Sequence, residues 1–424
     1  MDLRRYANGL AQSVSQVMAR EGMGATVTGV KQGPHTLTLA VALHEPTRAN
    51  LQKATTLATA FEAAIYDEPV RITMRRGVLM VECPSPVAVT VDGTKLRGKG
   101  LAVPLGVTTL RAVRGVDFEH EAHLLIVAPT GKGKTTTARC MAYHLARQNE
   151  PSKVQFIVST FKPQDWRAFA ALPHTRAVVV EPSESAAMLR WLLTVVNERT
   201  RTSVDTPHIF MVLDDLLNLL GSQDIANELS QIASLGRAAG VHLVIGTQRL
   251  GKRGAGDAAV TGNITSRIVL GVASGNDAAQ FAGRGKTGAE LLGRYPGDAL
   301  LVQDGGTVRL AIGYVPDEAL SGLYGGAPVE APRPWASSVR TGAPVHSAPV
   351  ILADEPENGD VRTGAPVQPV VTFPLPKRAP AGAEVDAVRA AYARNGQSLN
   401  KTVVEVYGAK SSLTMAWLKG ALDL

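Results

Sequence analysis

The chain has 424 residues, of which 45% are apolar and 19% charged, and this is enough apolar material for several domains of about 100–200 residues each. The formal net charge is +7, so the composition is compatible with a polyanionic partner. With two cysteines and no apolar run of about 18 residues, the sequence argues against a disulfide-rich secreted protein and against an intrinsic membrane segment. These features predict a cytoplasmic protein.

Residues 1–100 predict a small α+β domain. Leu10, Val14 and Val17 recur at helical spacing, which predicts a helix over 10–20. A second one-sided apolar pattern predicts another helix over 47–64. Alternating apolar positions predict strands at 25–30, 35–41, 70–74 and 78–82.

Residues 101–322 predict a larger α/β domain. Short, continuously apolar segments alternate with longer helical ones, which is typical of a parallel sheet covered by helices on both faces. The predicted strands are 124–128, 154–159, 177–180, 209–213, 242–247, 267–272 and 299–303.

The segment APTGKGKT at 128–135 fits the phosphate-binding pattern G-x-x-x-x-G-K-[ST], with alanine in the first place. Glycines let backbone N–H groups turn around a phosphate, Lys134 can reach the β- and γ-phosphates, and the Thr135 hydroxyl can ligate Mg²⁺. A strand precedes the motif and a helix over 135–147 follows it, as this chemistry requires. The motif predicts ATP and Mg²⁺ as ligands. The predicted nucleotide-binding residues are Pro129, Thr130, Gly131, Lys132, Gly133, Lys134, Thr135 and Thr136.

An apolar strand ending in Asp214 and Asp215 is the candidate acidic element of the same site. Asp214 is predicted to hold Mg²⁺, and Asp215 to act as the base that orients the attacking water. An aspartate pair after a strand is also typical of a helix N-cap, but the preceding phosphate-binding motif favours catalysis. Gln248, after the strand at 242–247, is predicted to contact the γ-phosphate. The other interpretation of Gln248 is an ordinary loop residue.

These motifs, together with the blocks GRAAGVHL at 236–243, TQR at 247–249 and GAELLG at 288–293, resemble the FtsK/SpoIIIE family of double-stranded DNA translocases. The resemblance covers residues 1 to about 320. It implies a RecA-like P-loop ATPase that hydrolyses ATP, binds duplex DNA and assembles into a hexameric ring. Lys132 stands where serine is common in the family, and Asp215 where glutamate is usual. The family's membrane-spanning part has no counterpart in the sequence, which favours a plasmid, phage or mobile-element type.

Within this resemblance, NITSRI at 263–268 matches the block that carries the arginine finger, so Arg267 is predicted to act on a neighbouring subunit's nucleotide. A surface salt bridge is the alternative role. The predicted catalytic residues are Lys134, Asp215, Arg267 and Gln248. The basic, glycine-rich segments at 252–253 and 283–286 are candidates for contacts with DNA phosphates, or else solvated turns.

Residues 323–383 hold 11 of the 25 prolines and are predicted to form a flexible or extended linker. The heptapeptide VRTGAPV occurs in it at 339–345 and 361–367, either as a partner-binding motif or as a neutral duplication. Residues 384–424 predict three short helices resembling a helix-turn-helix or winged-helix domain. They contain five Lys/Arg and four Asp/Glu, so a protein-interaction tail is the alternative to DNA binding.

The leading prediction is an ATP-driven, hexameric double-stranded DNA translocase that works in DNA transfer or segregation. One alternative is a conjugation or packaging ATPase. Another is a DNA-binding partition or regulatory protein that uses ATP only as an assembly switch.

Overall fold

The fold is described from a computed structural model. It describes residues 2–65, 68–214, 223–248, 262–272, 274–282, 287–292, 295–304, 306–323 and 333–336. The chain divides into two units, residues 1–343 and residues 344–424, and the described residues all lie in the first of them.

An N-terminal module begins with helix α1, Leu3–Arg20. Asp2 caps it, because its carboxylate accepts hydrogen bonds from the backbone N–H groups of the first turn. The apolar positions used for the prediction are the ones that are buried, among them Leu10 and Val14. The predicted helix is therefore confirmed, and it starts earlier than the apolar pattern does.

The module's sheet has four antiparallel strands in the order β1-β2-β4-β3. They are β1 (Ala25–Gln32), β2 (Thr36–Leu43), β3 (Arg71–Arg75) and β4 (Val78–Pro84). A single helix was predicted over 47–64, and this prediction is wrong in one respect. The structure has two helices there, α2 (Arg48–Thr55) and α3 (Ala58–Ala64). Thr55 and Thr56 turn their hydroxyls onto preceding backbone carbonyls, which favours ending a helix at this point.

The larger sheet contains a parallel half with strand order β10-β9-β11-β12-β8-β13. Its members are β8 (Leu124–Val127), β9 (Val154–Ser159), β10 (Thr175–Val179), β11 (His208–Asp214), β12 (Val241–Thr247) and β13 (Ser266–Val269). Each of these strands was predicted, and its bounds differ from the predicted ones by up to three residues.

The other half of this sheet is antiparallel, which corrects the expectation of a parallel sheet throughout. Its strands are β14 (Asp298–Gln303), β15 (Gly306–Tyr314), β6 (Ala102–Thr108) and β7 (Val113–Asp117), and the short β5 (Val91–Asp92) pairs with the end of β15. Strand β14 follows β13 antiparallel and so begins the change of direction.

Helices cover both faces of the parallel half. They are α4 (Lys134–Gln148), α5 (Arg167–Ala170), α6 (Pro182–Thr202), α7 (Gln223–Leu235), α8 (Gly275–Ala282) and α9 (Asp317–Ser321). In β8, Leu125 and Val127 belong to one hydrophobic core and Leu124 and Ile126 to the other, so the strand is buried on both faces. This double burial explains its continuously apolar sequence. Within the described ranges, no helix combines the length and apolarity needed to cross a bilayer.

A short segment at 333–336 packs on α6, although it falls inside the predicted linker. Trp335 is completely buried, its ring centroid lies 5.0 Å from that of Trp191, and its indole N–H donates to Glu184 at 3.1 Å. Arg333 forms a salt bridge with the same carboxylate at 3.0 Å. The predicted linker therefore contains at least one described segment, 333–336, that packs on this domain.

Candidate functional site

The phosphate-binding segment lies at the carboxyl end of β8, where the chain turns into α4. Gly131 and Gly133 have φ values of +79° and +105°, a region that residues with side chains rarely adopt. The Thr137 amide and hydroxyl both donate to the Gly133 carbonyl, at 2.9 and 2.8 Å, and so close the first helical turn. A glycine turn at a helix N-terminus presents N–H groups and the positive end of the helix dipole to an anion.

Asp214, at the carboxyl end of β11, is the centre of the site. Its carboxylate is 5% exposed and lies 3.4 Å from the Lys134 ammonium, and it accepts a 3.0 Å hydrogen bond from the Thr135 hydroxyl. The indole N–H of Trp166 donates to the same carboxylate at 3.4 Å. The structure thus brings together the three residues that the sequence predicted for phosphate and magnesium binding.

Gly246 makes room for this arrangement. It lies in β12 between Asp214 of β11 and Ile126 of β8 in the strand register. A Cβ atom added at this position would come within 3.1 Å of the Lys134 side chain and 3.3 Å of the Asp214 carboxylate. A side chain here would therefore displace the lysine from its position beside the aspartate.

The remaining predicted contacts of the nucleotide lie at the same end of the parallel strands. The Thr130 hydroxyl donates to the side-chain oxygen of Gln248 at 3.1 Å, which places the residue after β12 against the phosphate-binding segment. The Pro129 carbonyl accepts from the Lys132 amide at 3.3 Å, and Thr136 follows as the third residue of α4. The Lys132 carbonyl in turn accepts from the Gly297 amide at 3.2 Å, which ties the segment to the start of β14.

Arg267 lies apart from this group. It is in β13, opposite Leu125 of β8, and its guanidinium donates to the carbonyls of Ile264 and Phe281, each at 3.1 Å. These contacts are within its own subunit, so its action on a neighbouring nucleotide stays a prediction.

Several predicted residues lie outside the described ranges. They are Asp215, the basic segments at 252–253 and 283–286, the repeated heptapeptides, and the C-terminal residues 384–424. Their assigned roles stay predictions.

The donor set suits a magnesium-bound nucleoside triphosphate. Mg²⁺ prefers oxygen ligands and is commonly held by one or two protein oxygens together with phosphate, and Thr135 and Asp214 supply such oxygens next to the glycine turn. Among the described residues there is no cluster of three or more His, Cys, Asp or Glu that could hold a metal ion by itself.

Sequence reasoning missed Trp166 and Gly246. Strands β9 and β11 are parallel neighbours, with Ser159 opposite Leu213, so the segment after β9 must lie beside Asp214. That adjacency becomes visible only when the strand order is known, and Trp166 has no pattern of its own in the sequence. For Gly246, the signal was a glycine at the end of an otherwise apolar strand.

The fold and the site together have the architecture of a P-loop nucleotide-binding domain. Residues 91–206 match the model of the FtsK/SpoIIIE family, which confirms the resemblance seen in the sequence and relates this part of the chain to that family.

Curated relatives extend this relationship along the chain. The DNA translocase FtsK of Lactiplantibacillus plantarum is 26% identical over 334 residues, covering 68% of this chain and 41% of the relative. The DNA translocase FtsK of Mycobacterium leprae is 25% identical over 364 residues, covering 74% of this chain and 42% of the relative. The chain thus spans less than half the length of these relatives.

Among solved structures, the pCW3 conjugation coupling protein TcpA, in a monomer form with ATPγS, is 15% identical with a TM-score of 0.49. The match covers 74% of this chain and 98% of that one. The cytoplasmic domain of the Thermomonospora curvata type VII secretion ATPase EccC is 22% identical with a TM-score of 0.49. That match covers 57% of this chain and 34% of that one.

Proposed function

We propose that this chain is an ATP-driven motor that moves along duplex DNA as a hexameric ring in the cytoplasm, in DNA transfer or segregation. The observation that carries the proposal is the convergence of Lys134, Thr135 and Trp166 on the buried carboxylate of Asp214 beside a glycine turn. The names of the curated relatives, DNA translocases, support the choice of duplex DNA.

The geometry suggests how hydrolysis would proceed. Lys134 contacts Asp214 at 3.4 Å, and on nucleotide binding its ammonium would move to the β- and γ-phosphates. Asp214 and Thr135 would then hold Mg²⁺, which supplies charge neutralisation at the phosphates. Asp215 would orient the attacking water, and Gln248 would contact the γ-phosphate from the end of β12.

Contacts with DNA are assigned to the basic segments at 252–253 and 283–286 and, in a helix-turn-helix arrangement, to residues 384–424. A motor that moves over any sequence must contact mainly phosphates, and the net charge of +7 is compatible with this. A conjugation or packaging ATPase would use the same site. An assembly switch would bind ATP but hydrolyse it slowly and without regard to DNA.

An ATPase assay with and without duplex DNA tests the proposal. We expect duplex DNA to stimulate hydrolysis by the full chain, and we expect the stimulation to fade as salt is raised, because phosphate contacts release counterions. Lys134→Ala should reduce hydrolysis to background while leaving the circular-dichroism spectrum unchanged. A hydrolysis rate that ignores duplex DNA at low salt would favour the assembly switch, and full hydrolysis by Lys134→Ala would reject the nucleotide site.

Mixed rings test the proposed role of Arg267. An arginine finger contributes about 10³–10⁵ in rate in related phosphoryl transfers, so Arg267→Ala should nearly abolish hydrolysis. Mixing it with Lys134→Ala subunits should restore part of the activity, because each variant supplies what its neighbour lacks. Absence of any recovery in mixtures that still assemble would assign Arg267 to its own subunit, where it donates to Ile264 and Phe281.

A further inference from the structure

One face of the N-terminal sheet packs on the module's own hydrophobic core. A cleft separates the opposite face from strands β6, β7 and β15 of the larger sheet. Its volume is about 380 Å³. Four arginines from the two sides line it: Arg71 and Arg75 from β3, Arg114 from β7 and Arg309 from β15. None of the residues of the phosphate-binding segment borders it.

The two deeper arginines are held by acids. Arg71 forms a 2.9 Å salt bridge with Glu82, and both side chains are less than a tenth exposed. Arg309 forms a bidentate pair with Asp298 at 3.0 and 2.6 Å. These pairs fix the floor of the cleft rigidly, because a buried ion pair with several hydrogen bonds has little freedom to rearrange.

The two outer arginines have no acid partner among the described residues. Arg75 and Arg114 are exposed, and Glu82 is the one acid among the described residues that line the cleft. Since Glu82 and Asp298 offset Arg71 and Arg309, the cleft keeps an excess of two positive charges. Guanidinium groups arranged on two sides of a cavity are suited to an oxyanion that several donors can reach.

A buried hydroxyl in the same wall lacks a partner. Thr38 of β2 lies opposite Glu82 of β4 and borders the cleft, yet it is only 2% exposed. Its hydroxyl has no hydrogen-bond partner within the part of the chain that the structure describes. Buried polar groups are normally satisfied, so this one points to a ligand that the cleft accommodates.

We propose that this cleft is a second anion site, distinct from the P-loop, that binds a phosphate group. Arg75 and Arg114 supply the charge and Thr38 a hydrogen bond, while the paired Arg71 and Arg309 shape the floor. Guanidinium forks on two sides of the cleft, together with a hydroxyl, suit a tetrahedral phosphate, whose acceptor oxygens point in several directions. The phosphate comes from a free phosphate compound or from the backbone of duplex DNA.

Pyrophosphate titration by calorimetry tests the site. The full chain carries Lys134→Ala, so that the P-loop contributes little to the heat. We expect saturable binding of pyrophosphate that weakens at least tenfold when Arg75→Ala and Arg114→Ala are added. The matched control is Arg20→Ala with Arg48→Ala, which removes the same charge from exposed positions of the module outside the cleft. Equal affinity in both double variants, or no binding at all, overturns the proposal for a free phosphate compound.

Thr38→Val separates binding from folding. Valine has nearly the shape of threonine, and the lost hydroxyl has no described partner, so the unliganded variant should be at least as resistant to urea as the parent. Its pyrophosphate affinity should nevertheless fall severalfold. Unchanged affinity would remove Thr38 from the site.

A short duplex oligonucleotide distinguishes the two sources of phosphate. If the backbone occupies the cleft, the arginine double variant should bind the duplex at least threefold more weakly than the charge-matched control. If a free compound is the ligand, both variants should bind the duplex equally while only the cleft variant loses pyrophosphate. A cleft variant that matches the control for both probes rejects the site altogether.

Discussion

Asp214 shows how one carboxylate organises a site whose members come from distant parts of the sequence. Lys134 and Thr135 start α4, while Trp166 comes from the segment after β9, and all three meet it from different directions. A buried carboxylate needs such donors, because burying an unpaired charge is costly. The same donors hold its oxygens in one orientation, and the proposed magnesium site would rely on these contacts as well.

Trp166 is predicted to act as a positioning residue for magnesium binding. Trp166→Phe keeps most of the packing volume but removes the 3.4 Å hydrogen bond to Asp214. A hydrogen bond of this length to a charged group contributes about 1 kcal/mol, so the magnesium concentration at half-maximal nucleotide binding should rise by about fivefold. Magnesium titrations at fixed ATP measure this shift.

Trp191→Phe is the control for that change, because Trp191 lies on α6 and contacts Trp335 rather than the aspartate. It should leave the magnesium dependence as it is. A Trp166→Phe protein with the parent's magnesium dependence would show that Asp214 is oriented without the indole.

Among the strands, those that are buried on both faces were the easiest to predict from the sequence. Strands β8, β11 and β12 are buried on both faces and read as continuous apolar runs, so the sequence revealed them. Strand β7 is half exposed and carries a glycine and two charged residues, so no apolar period marks it. The antiparallel pairing of β14 with β13 could not be read at all, because direction depends on tertiary contacts rather than on residue types.

The candidate site also has a part that could be predicted from the sequence and a part that could not. Its glycine turn was predictable, since Gly131 and Gly133 adopt backbone angles that few other residues tolerate. Its surroundings were not, since Trp166 and Gly246 act through neighbours that only the strand order provides.

The segment around Trp335 is predicted to stabilise the larger domain. Trp335→Ala removes a completely buried indole from between Trp191 and Glu184, which should lower the free energy of unfolding by about 3–5 kcal/mol. Urea unfolding followed by circular dichroism measures it without relying on tryptophan fluorescence. Arg333→Ala, which removes a half-exposed salt bridge to the same glutamate, should cost less than about 1 kcal/mol. If the two variants were equally stable, the segment would not contribute to the core.

At the scale of the whole molecule, different residues gather at the two ends of the parallel strands. The carboxyl-end edge carries the candidate nucleotide site, and the amino-end edge carries buried histidines. His242 donates from Nδ1 to the Ala122 carbonyl at 2.8 Å and accepts at Nε2 from His208 at 3.1 Å. His123 donates from Nε2 to the Ala233 carbonyl at 3.0 Å, and its Nδ1 accepts from the Leu243 amide at 2.9 Å. Each ring therefore has one donating and one accepting nitrogen, which only the neutral form provides.

Burial lowers the pKa of His123 to about 4 and that of His242 to about 3. On α4, His144 also has a pKa lowered to about 4, first by burial and then by the nearby positive charge of Arg147. In the unfolded chain these groups return to a pKa of about 6.5. Below that pH the unfolded state binds protons that the folded state does not, so acid favours unfolding.

The stability of the whole molecule should therefore fall as pH decreases from 6.5 towards 5, above the range in which most carboxylates titrate. Each neutral buried histidine contributes a slope of about 1.4 kcal/mol per pH unit once its unfolded form is protonated, and no slope above pH 7. Urea midpoints measured at half-unit pH intervals test this.

His144→Gln should reduce the slope of unfolding free energy against pH by about 1.4 kcal/mol per pH unit, because it removes one of these buried histidines. Stability that stayed constant between pH 6.5 and 5 would mean that the buried rings accept protons in the folded state, against the hydrogen bonds that fix them as neutral.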